Sequence, residues 1–440
     1  MEVAGPEQGE QLISRCHFSE AAARLAGDVD RGDDAQRRAR LRAAAFALSG
    51  DDSNLALAAA PDLIAARTAP AAASFLAAVA PAPDSNDYLC AAVVLSWSGE
   101  PSAVLDLFRE AHDRAIDERR LHFAVGARER MAHHALLFGE TQTAKSALED
   151  AMRLAAAHGL ETWQLRAAAA CARLALDIGE PERAAELVAR FRRQARSSDE
   201  IALLAGAAAG AAVACGDERS LREWTSEEIV QVALRSTSRE SAIAATLALL
   251  APAENELASN AAVALRRAVL ANRGSTGSVE LLSLAARFGD LDEARLAADA
   301  LGALGPPNRK YLKAHALLAR AHVLLRCSER AAGIDHAGDA ARAFNAIGMR
   351  RWMNEAMSLL VRQEDEGYPR RRRGHPLGSA LTSREQQVAH LIRRGARNRE
   401  VATALQISEH TVERHVSSIL GRLGLRSRWQ IVDPKNASEH

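Results

Sequence analysis

The chain has 440 residues, with 56 Lys and Arg against 56 Asp and Glu, so its formal net charge is zero. As a whole it is neither a basic nucleic-acid coat nor an acidic tail. Hydrophobic residues make up 48% of the chain but aromatic residues only 4%. Much of the apolar content is alanine, which favours helices, whereas sheets draw on aromatic and β-branched residues. This composition argues against a β-sandwich, a collagen-like fibre or a disordered chain.

The cysteines and the start of the chain predict a cytoplasmic protein. The five cysteines are widely spaced and never form a CxxC pair, so no disulfide framework is expected. No basic stretch followed by an apolar one opens the chain, which argues against a secretory signal. The longest apolar run, Ile201 to Cys215, has 15 residues. About 20 are needed to span a bilayer, so no membrane partner is expected.

A Gly followed by an acidic residue recurs along the chain and indicates a repeat. From Gly99 onward the steps are 40, 40, 37 and 73 residues. If each Gly ends one helix and starts a tight turn, the residues 7 and 4 positions before it and 5, 9 and 12 positions after it should face inward. Of 30 such positions 27 are apolar. The six glycines are Gly50, Gly99, Gly139, Gly179, Gly216 and Gly289.

This pattern resembles tetratricopeptide-type helical hairpins, with longer and looser units. We therefore expect an all-α protein in which a tetratricopeptide-like α-solenoid over residues 35–361 precedes a small C-terminal domain. Residues 1–34 are expected to be helical or partly disordered. A solenoid presents a long concave surface, so the repeats are expected to hold a small-molecule or peptide effector or a protein partner, and nothing in them says which.

Some histidines and tryptophans of the repeats leave two interpretations open. Three pairs that contain histidine could ligate a metal, but none has a further ligand at the required spacing, so ordinary histidines are favoured. The pairs are His133 with His134, Cys16 with His17, and His315 with His322. Four tryptophans either line an effector groove or pack between hairpins, with packing favoured. They are Trp97, Trp163, Trp224 and Trp352.

The sequence contains no recognisable enzyme motif. A nucleotide-binding P-loop requires a Gly-Lys pair, because its lysine must follow the loop that cradles the phosphates, and the chain has none. GxSxG and HExxH are also absent. We therefore expect no catalytic residues, no cofactor, no metal and no enzymatic activity.

The composition changes at residues 362–378, where acidic residues give way to an Arg-rich stretch with prolines and glycines. Such a stretch cannot form a core and predicts an exposed linker. Residues 379–440 then form a separate C-terminal domain, and the linker arginines and this domain together carry a strong basic excess. Residues 370–440 hold 14 basic and 6 acidic side chains, a net of +8, so residues 1–369 carry −8. The two parts could attract each other and mask the C-terminal domain when its partner is absent.

The C-terminal domain shows three helical patterns. Thr382 and Glu385 have the spacing of a capping box that opens the first helix. A short second helix is predicted over residues 398–405, and Ser408 caps a third over 409–423. Two short helices joined by a tight turn are typical of a helix-turn-helix. The third helix, about 22 Å long, suits a DNA major groove.

Residues 381–428 contain a series of short motifs in a fixed order, which begins with LTxRE and ends with Leu-Gly-Leu-Arg-Ser-Arg. Between them lie Gly395, an Asn-basic-Glu-aliphatic-Ala run at 398–402, and Thr411-Val412. This segment resembles the DNA-binding domain of LuxR-family transcription regulators. Helical repeats joined to such a terminus also resemble the large LuxR-type regulators, which normally carry an N-terminal ATPase that this sequence lacks.

The resemblance implies a role for each matching position. It implies that the third helix turns Glu413, Arg414 and Ser417 toward base edges, where Arg414 could bind guanine and Glu413 cytosine. The alternative is that Glu413 and Arg414 only form a solvated face of the helix and contact no bases. Six positions are implied to hold phosphates, although His415 could equally pack against the first helix. They are Asn398, Arg399, Ser408, Thr411, His415 and Arg422.

Two departures from the family pattern affect these expectations. Arg397 stands where the family usually has a small hydroxyl cap, so Asn398 is expected to cap the second helix. The family's fourth helix, often a dimer contact, would begin near Ser427, but Pro434 stops it within about two turns. Whether a homodimer forms on DNA is therefore left open.

Together the patterns predict a bacterial, sequence-specific DNA-binding transcription regulator whose repeats sense an effector or partner. Its expected partners are double-stranded DNA and RNA polymerase or another protein. The alternative is an interaction scaffold whose C-terminal three-helix module docks protein.

Overall fold

The computed structural model describes most of the repeats and the C-terminal domain, and all regular secondary structure within the described residues is helical. This confirms the all-α fold class. The described residues are 6–15, 21, 23–26, 41–45, 47–48, 83–96, 100–224, 226, 229, 279–288, 291–303, 309–367, 383–393, 396–405 and 407–423.

The chain divides into two compact units, Met1–Val323 and Leu324–His440. The helices of the first unit are α1 (Pro6–Ser14), α2 (Ser85–Leu95), α3 (Pro101–Asp117), α4 (Leu121–Phe138), α5 (Thr141–Ala157), α6 (Glu161–Asp177), α7 (Pro181–Arg192), α8 (Ser198–Cys215), α9 (Glu218–Trp224), α10 (Val279–Phe288), α11 (Leu291–Ala303) and α12 (Lys310–Arg326), whose last residues belong to the second unit. The second unit continues with α13 (Arg330–Ala346), α14 (Arg350–Gly367), α15 (Ser383–Arg393), α16 (Asn398–Leu405) and α17 (Glu409–Leu423).

Helices α2 to α9 pack as the solenoid prediction requires. Each packs against the next helix in the chain, and alternate helices such as α4 and α6, or α6 and α8, also touch. Contact restricted to near neighbours along the chain defines a helical-repeat array. The tetratricopeptide-like arrangement predicted from the repeat is therefore confirmed.

The Gly-acid pairs form the turns that the sequence predicts. Gly139, Gly179 and Gly216 have φ values of 83°, 84° and 70°, the left-handed region that favours glycine. The residue after each glycine donates its N–H to a carbonyl five residues back, as Glu140 does to Ala135 at 2.8 Å. This bond satisfies a carbonyl that the helix end would leave without a partner. Gly50, Gly99 and Gly289 lie outside the described residues.

The predicted inward positions form the core of the hairpins. Around Gly139, Gly179 and Gly289, fourteen of fifteen such positions are buried. Ala298 is only partly buried, and its neighbour Ala297 is buried instead. Most of these residues are alanines, so paired helices approach closely, and sparse large side chains such as Phe191 fill the spaces between them.

The tryptophans and histidines of the repeats are mostly interior. Trp163, Trp224 and Trp352 are buried, as packing between hairpins requires, whereas Trp97 lies outside the described residues. Cys16 and His17 also lie outside them. No three His, Cys, Asp or Glu side chains of the described part are grouped as metal ligands. Within the same residues, no helix is both long and apolar enough to cross a bilayer.

One buried histidine lies among cations. The His134 ring is completely buried in α4, stacked on Phe108 at 5.1 Å, with Nε2 3.2 Å from the Arg130 guanidinium. Arg309 is buried in the same unit and donates to the Ser96 carbonyl. Burial lowers the pKa of His134 well below its ordinary value, and the charges of Arg130 and Arg309 lower it further. His134 is therefore neutral at pH 7.

We predict that His134 makes the repeats sensitive to mild acid. Its folded-state pKa lies below the unfolded value of about 6.5, so the unfolded chain binds more protons and the free energy of unfolding falls below that pH. His134→Gln should reduce the stability lost between pH 7 and pH 5 by about 2 kcal/mol. Urea denaturation at the two pH values measures this. The exposed His158→Gln serves as the control, and an equal loss in all three proteins would contradict the prediction.

Candidate nucleic-acid interface

The helices α15, α16 and α17 share one small hydrophobic core. Apolar side chains of each helix meet there, so the three helices hold one another in fixed orientation. Val416 is partly buried at its edge. The buried members are Val388, Ala389, Leu391, Ile392, Ala396, Val401, Ala402, Leu405, Val412 and Ile419.

A tight turn joins α16 to α17. The Ile407 N–H donates to the Ala402 carbonyl at 3.0 Å, which closes the end of α16. Ser408 then caps α17, because its Oγ accepts from the Thr411 N–H at 3.1 Å and lies 2.8 Å from the Thr411 hydroxyl. The cap predicted at Ser408 is present, and it sets where the third helix begins.

The start of α16 differs from the expectation. Asn398 is the first helical residue rather than the cap, so the prediction that it caps this helix is wrong. The backbone N–H of Arg397 instead donates to the Glu400 carboxylate at 2.8 Å. This bond is one half of a capping box: the Glu400 carboxylate satisfies the N–H of Arg397, whereas a hydroxyl at position 397 would accept from an N–H inside the helix. At α15, Thr382 lies outside the described residues, while its expected capping-box partner Glu385 is buried.

The outward face of α17 is polar. Val412 and Ile419 anchor one side of this helix in the core, whereas Glu413 and Arg414 are exposed on the other. His410 is also exposed, and its Nδ1 lies 3.8 Å from a Glu413 carboxylate oxygen. The predicted pair therefore presents a hydrogen-bond acceptor beside a five-donor guanidinium, a combination that can contact base edges. The sequence pattern did not single out His410, although its three-residue spacing from Glu413 was visible.

Four of the six predicted phosphate contacts lie at two helix starts. Asn398 and Arg399 open α16, and Ser408 and Thr411 open α17. The side chains of Arg399 and Ser408 are exposed, and those of Asn398, Thr411 and His415 are partly buried. A helix N-terminus carries partial positive charge and favours anions. Ser417 and Arg422 lie on α17, but their side chains fall outside the described residues.

One helix from the repeats supports the three-helix core. Helix α14 packs against α13 and also against α15 and α16, and Met357 lies against the core. None of the residues 351–360 is exposed, so this stretch is covered on both sides. The sequence motif could not reveal Met357, because it lies upstream of the matched segment. Helix α14 also continues to Gly367, into the stretch 362–378 expected to be linker.

Comparison with known proteins identifies this C-terminal region. Residues 379–434 match the model of the family described as bacterial regulatory proteins, luxR family. The nitrate/nitrite response regulator protein NarP of Escherichia coli K12 is 44% identical over 50 residues, which are 11% of this chain and 23% of NarP. The response regulator protein VraR of Staphylococcus aureus Mu3 is 44% identical over 52 residues, 12% of this chain and 25% of VraR.

A third relative has a longer match. The putative HTH-type transcriptional regulator Mb0914c of Mycobacterium bovis is 36% identical over 80 residues, which are 18% of this chain and 9% of that protein. The chain thus spans a quarter or less of the length of each of these relatives. A solved Rap protein complexed with competence and sporulation factor is 10% identical with a TM-score of 0.43, covering 82% of this chain and 97% of that one.

The sequence match and the three-helix core coincide on the same residues. The resemblance predicted from the LTxRE opening and the helix-turn-helix spacing is therefore confirmed. Residues 379–434 of this chain are a LuxR-family helix-turn-helix domain, preceded by helical repeats.

Proposed function

We propose that the protein is a sequence-specific DNA-binding transcription regulator in which α17 enters the major groove. The observation that supports this most is the two-sided character of α17, with one face fixed in the core and the other presenting Glu413 and Arg414. A rigid helix with exposed donors and acceptors is what direct contact with base edges requires. Arg414 donates to guanine O6 and N7, and Glu413 and Ser417 contact neighbouring bases.

Phosphate contacts fix the position of α17 along the duplex. The exposed Arg399 and Ser408 at the two helix starts, with Asn398 and Thr411 beside them, bind phosphate oxygens of one strand. His415 and Arg422 add further contacts. Such contacts hold the register of a protein on DNA and carry no sequence information themselves.

The helical repeats sense an effector or a protein partner and so regulate the DNA-binding domain. The array provides an extended surface built from many similar hairpins, which suits binding better than chemistry. We propose that RNA polymerase or another protein is contacted in the same complex, and that the protein acts in the cytoplasm, with or without forming a homodimer on DNA.

The described side chains of α17 favour DNA over a protein partner for this domain. Those that are exposed are Glu409, His410, Glu413 and Arg414, all polar or charged. The centre of a stable protein interface is depleted of charged residues and enriched in large apolar ones. The net charge of +8 over residues 370–440 also suits a polyanion.

We predict that Arg414 recognises the base sequence, whereas Arg399 binds the phosphate backbone. Arg414→Ala should weaken binding to the cognate site by about 1–3 kcal/mol and remove discrimination at one base pair. Arg399→Ala should weaken binding to cognate and scrambled duplexes equally. It should also reduce the slope of log affinity against log salt concentration by about one, the value for one phosphate contact. Fluorescence anisotropy with a duplex selected from random sequence measures both. Equal binding of the wild-type protein to selected and scrambled duplexes would contradict the proposal.

We also predict that Ser408 has separable roles in folding and in binding. Ser408→Ala removes the cap of α17 and should lower the free energy of unfolding of this domain by about 1 kcal/mol. Ser408→Asn and Ser408→Asp both keep a capping oxygen and should leave stability nearly unchanged. Only Ser408→Asp adds negative charge beside a phosphate, so of these two variants it alone should weaken binding to cognate and scrambled duplexes. Equal DNA affinity of the Asn and Asp variants would place Ser408 away from the phosphates.

A further inference from the structure

The N-terminal helix α1 lies against helices that are distant in the chain. Trp163 Nε1, on α6, donates to the Ser14 carbonyl at 2.8 Å, and Arg120 Nε, just before α4, donates to the Glu10 carboxylate at 2.9 Å. These contacts span 149 and 110 residues. In a repeat array each unit contacts its neighbours, so α1 lies across the array rather than adding a further repeat at its end.

The array itself positions the arginine that binds α1. Arg120 donates from an Nη to Ser85 Oγ at 3.2 Å and lies 3.5 Å from the Glu118 carboxylate. Its guanidinium carbon sits 3.9 Å from the centre of the Phe123 ring. These three contacts hold the side chain so that Nε faces Glu10. A half-buried, charge-assisted hydrogen bond to a preorganised guanidinium is stronger than one between two neutral groups.

The Trp163 ring that binds α1 also packs against a glycine. A Cβ added to Gly126, in the middle of α4, would lie 2.3 Å from Leu48 Cδ2 and 3.1 Å from Trp163 Cζ3. Glycine inside a helix costs about 1 kcal/mol relative to alanine, and here it allows Leu48 and Trp163 to approach α4. The half-buried His122 ring lies 6.3 Å from the Trp163 ring. Burial, and then the charge of Arg120, lowers the pKa of His122 to about 4, so this imidazole is neutral at pH 7.

The residues through which α1 makes its contacts lie about one helical turn apart, on the same side of the helix. Glu10, the fully buried Ile13 and the carbonyl of Ser14 lie three and four positions apart. The carbonyl of Ser14 belongs to the last turn of α1, where no partner exists within the helix. A nine-residue helix is only marginally stable by itself. Helix α1 therefore depends on the surface it contacts.

We propose that the surface formed by Arg120, His122 and Trp163, called here the α4–α6 cradle, binds a short acidic helix of a partner protein and that α1 occupies it within the chain. The partner helix carries a carboxylate, an aliphatic residue three positions later and a free carbonyl at its C-terminal end. This inference rests on the proposed function and names the surface where the regulator senses a partner.

The chemistry of the cradle favours a helical peptide over a small metabolite. Its two directional groups, Arg120 Nε and Trp163 Nε1, bind a side-chain carboxylate and a backbone carbonyl four residues apart. Ile13, which is completely buried, adds an apolar side chain between these two positions of α1. A helix presents those three groups at fixed separation.

The test opens the cradle in the full-length chain. Glu10→Ala with Ile13→Asp removes both side-chain contacts of α1, and the probe is a fluorescent peptide of residues 4–15 with blocked ends. Anisotropy should show this opened chain binding the peptide about tenfold more tightly than wild type, because a tethered occupant competes at roughly millimolar effective concentration. The single variant Glu10→Ala keeps the buried Ile13 and should give an intermediate gain. Circular dichroism checks that each chain retains its helices.

A charge exchange then tests the site itself. Adding Arg120→Glu to the opened chain should abolish binding of the peptide, and a peptide with Glu10→Arg should restore it. Arg153→Glu, at a residue with 76% of its side chain exposed, serves as the matched control and should have no effect. The inference is overturned if wild-type and opened chains bind the peptide equally, if neither binds at about 1 mM, or if Arg120→Glu has no effect.

The same chains, assayed on the selected DNA duplex, separate this inference from the proposed function. Loss of peptide binding with sequence-specific DNA binding intact would overturn the cradle alone. Peptide binding in a chain that does not distinguish selected from scrambled DNA would support the cradle and overturn the proposed function.

Discussion

Close contact between alanine-lined helices is the interaction on which the repeat region depends. Alanine at positions such as Ala135, Ala144 and Ala172 lets neighbouring helices approach, but each methyl group buries little apolar area. No single hairpin of this kind can offset the entropy of ordering its own backbone. Stability therefore comes from stacking many hairpins, and the few large side chains, such as Phe108 and Phe191, fill the gaps that alanine leaves.

The parts of the structure that were predictable from the sequence are those determined by nearby residues. The left-handed turns at Gly139 and Gly179, the cap at Ser408 and the bounds of α17 each depend on residues within about one turn. The cap of α16 was missed for a specific reason. The helix starts one residue earlier than a cap at Asn398 requires, because the Glu400 carboxylate accepts from the Arg397 N–H and the Arg397 carbonyl accepts from the Val401 N–H, and neither bond needs a capping hydroxyl.

The contacts that could not be predicted join residues far apart in the chain. Met357 packs under the helix-turn-helix core from a helix outside the matched segment, and Trp163 bonds to Ser14 across 149 residues. Neither contact leaves a periodic trace, because each depends on which faces meet after the hairpins have stacked. The interior Gly126 marks a close approach of Leu48 and Trp163, but a glycine inside a helical pattern has several common explanations.

The two interpretations of the buried tryptophans do not exclude each other at Trp163. The ring is 1% exposed and packs beside His122 and Gly126, as a structural tryptophan would. Its indole N–H nevertheless points to a carbonyl outside the array, and a buried tryptophan requires a partner for that group. The requirement is met by α1 or by any helix that ends in the same place. A side chain that completes the core can thus also present the array with a fixed donor for a partner.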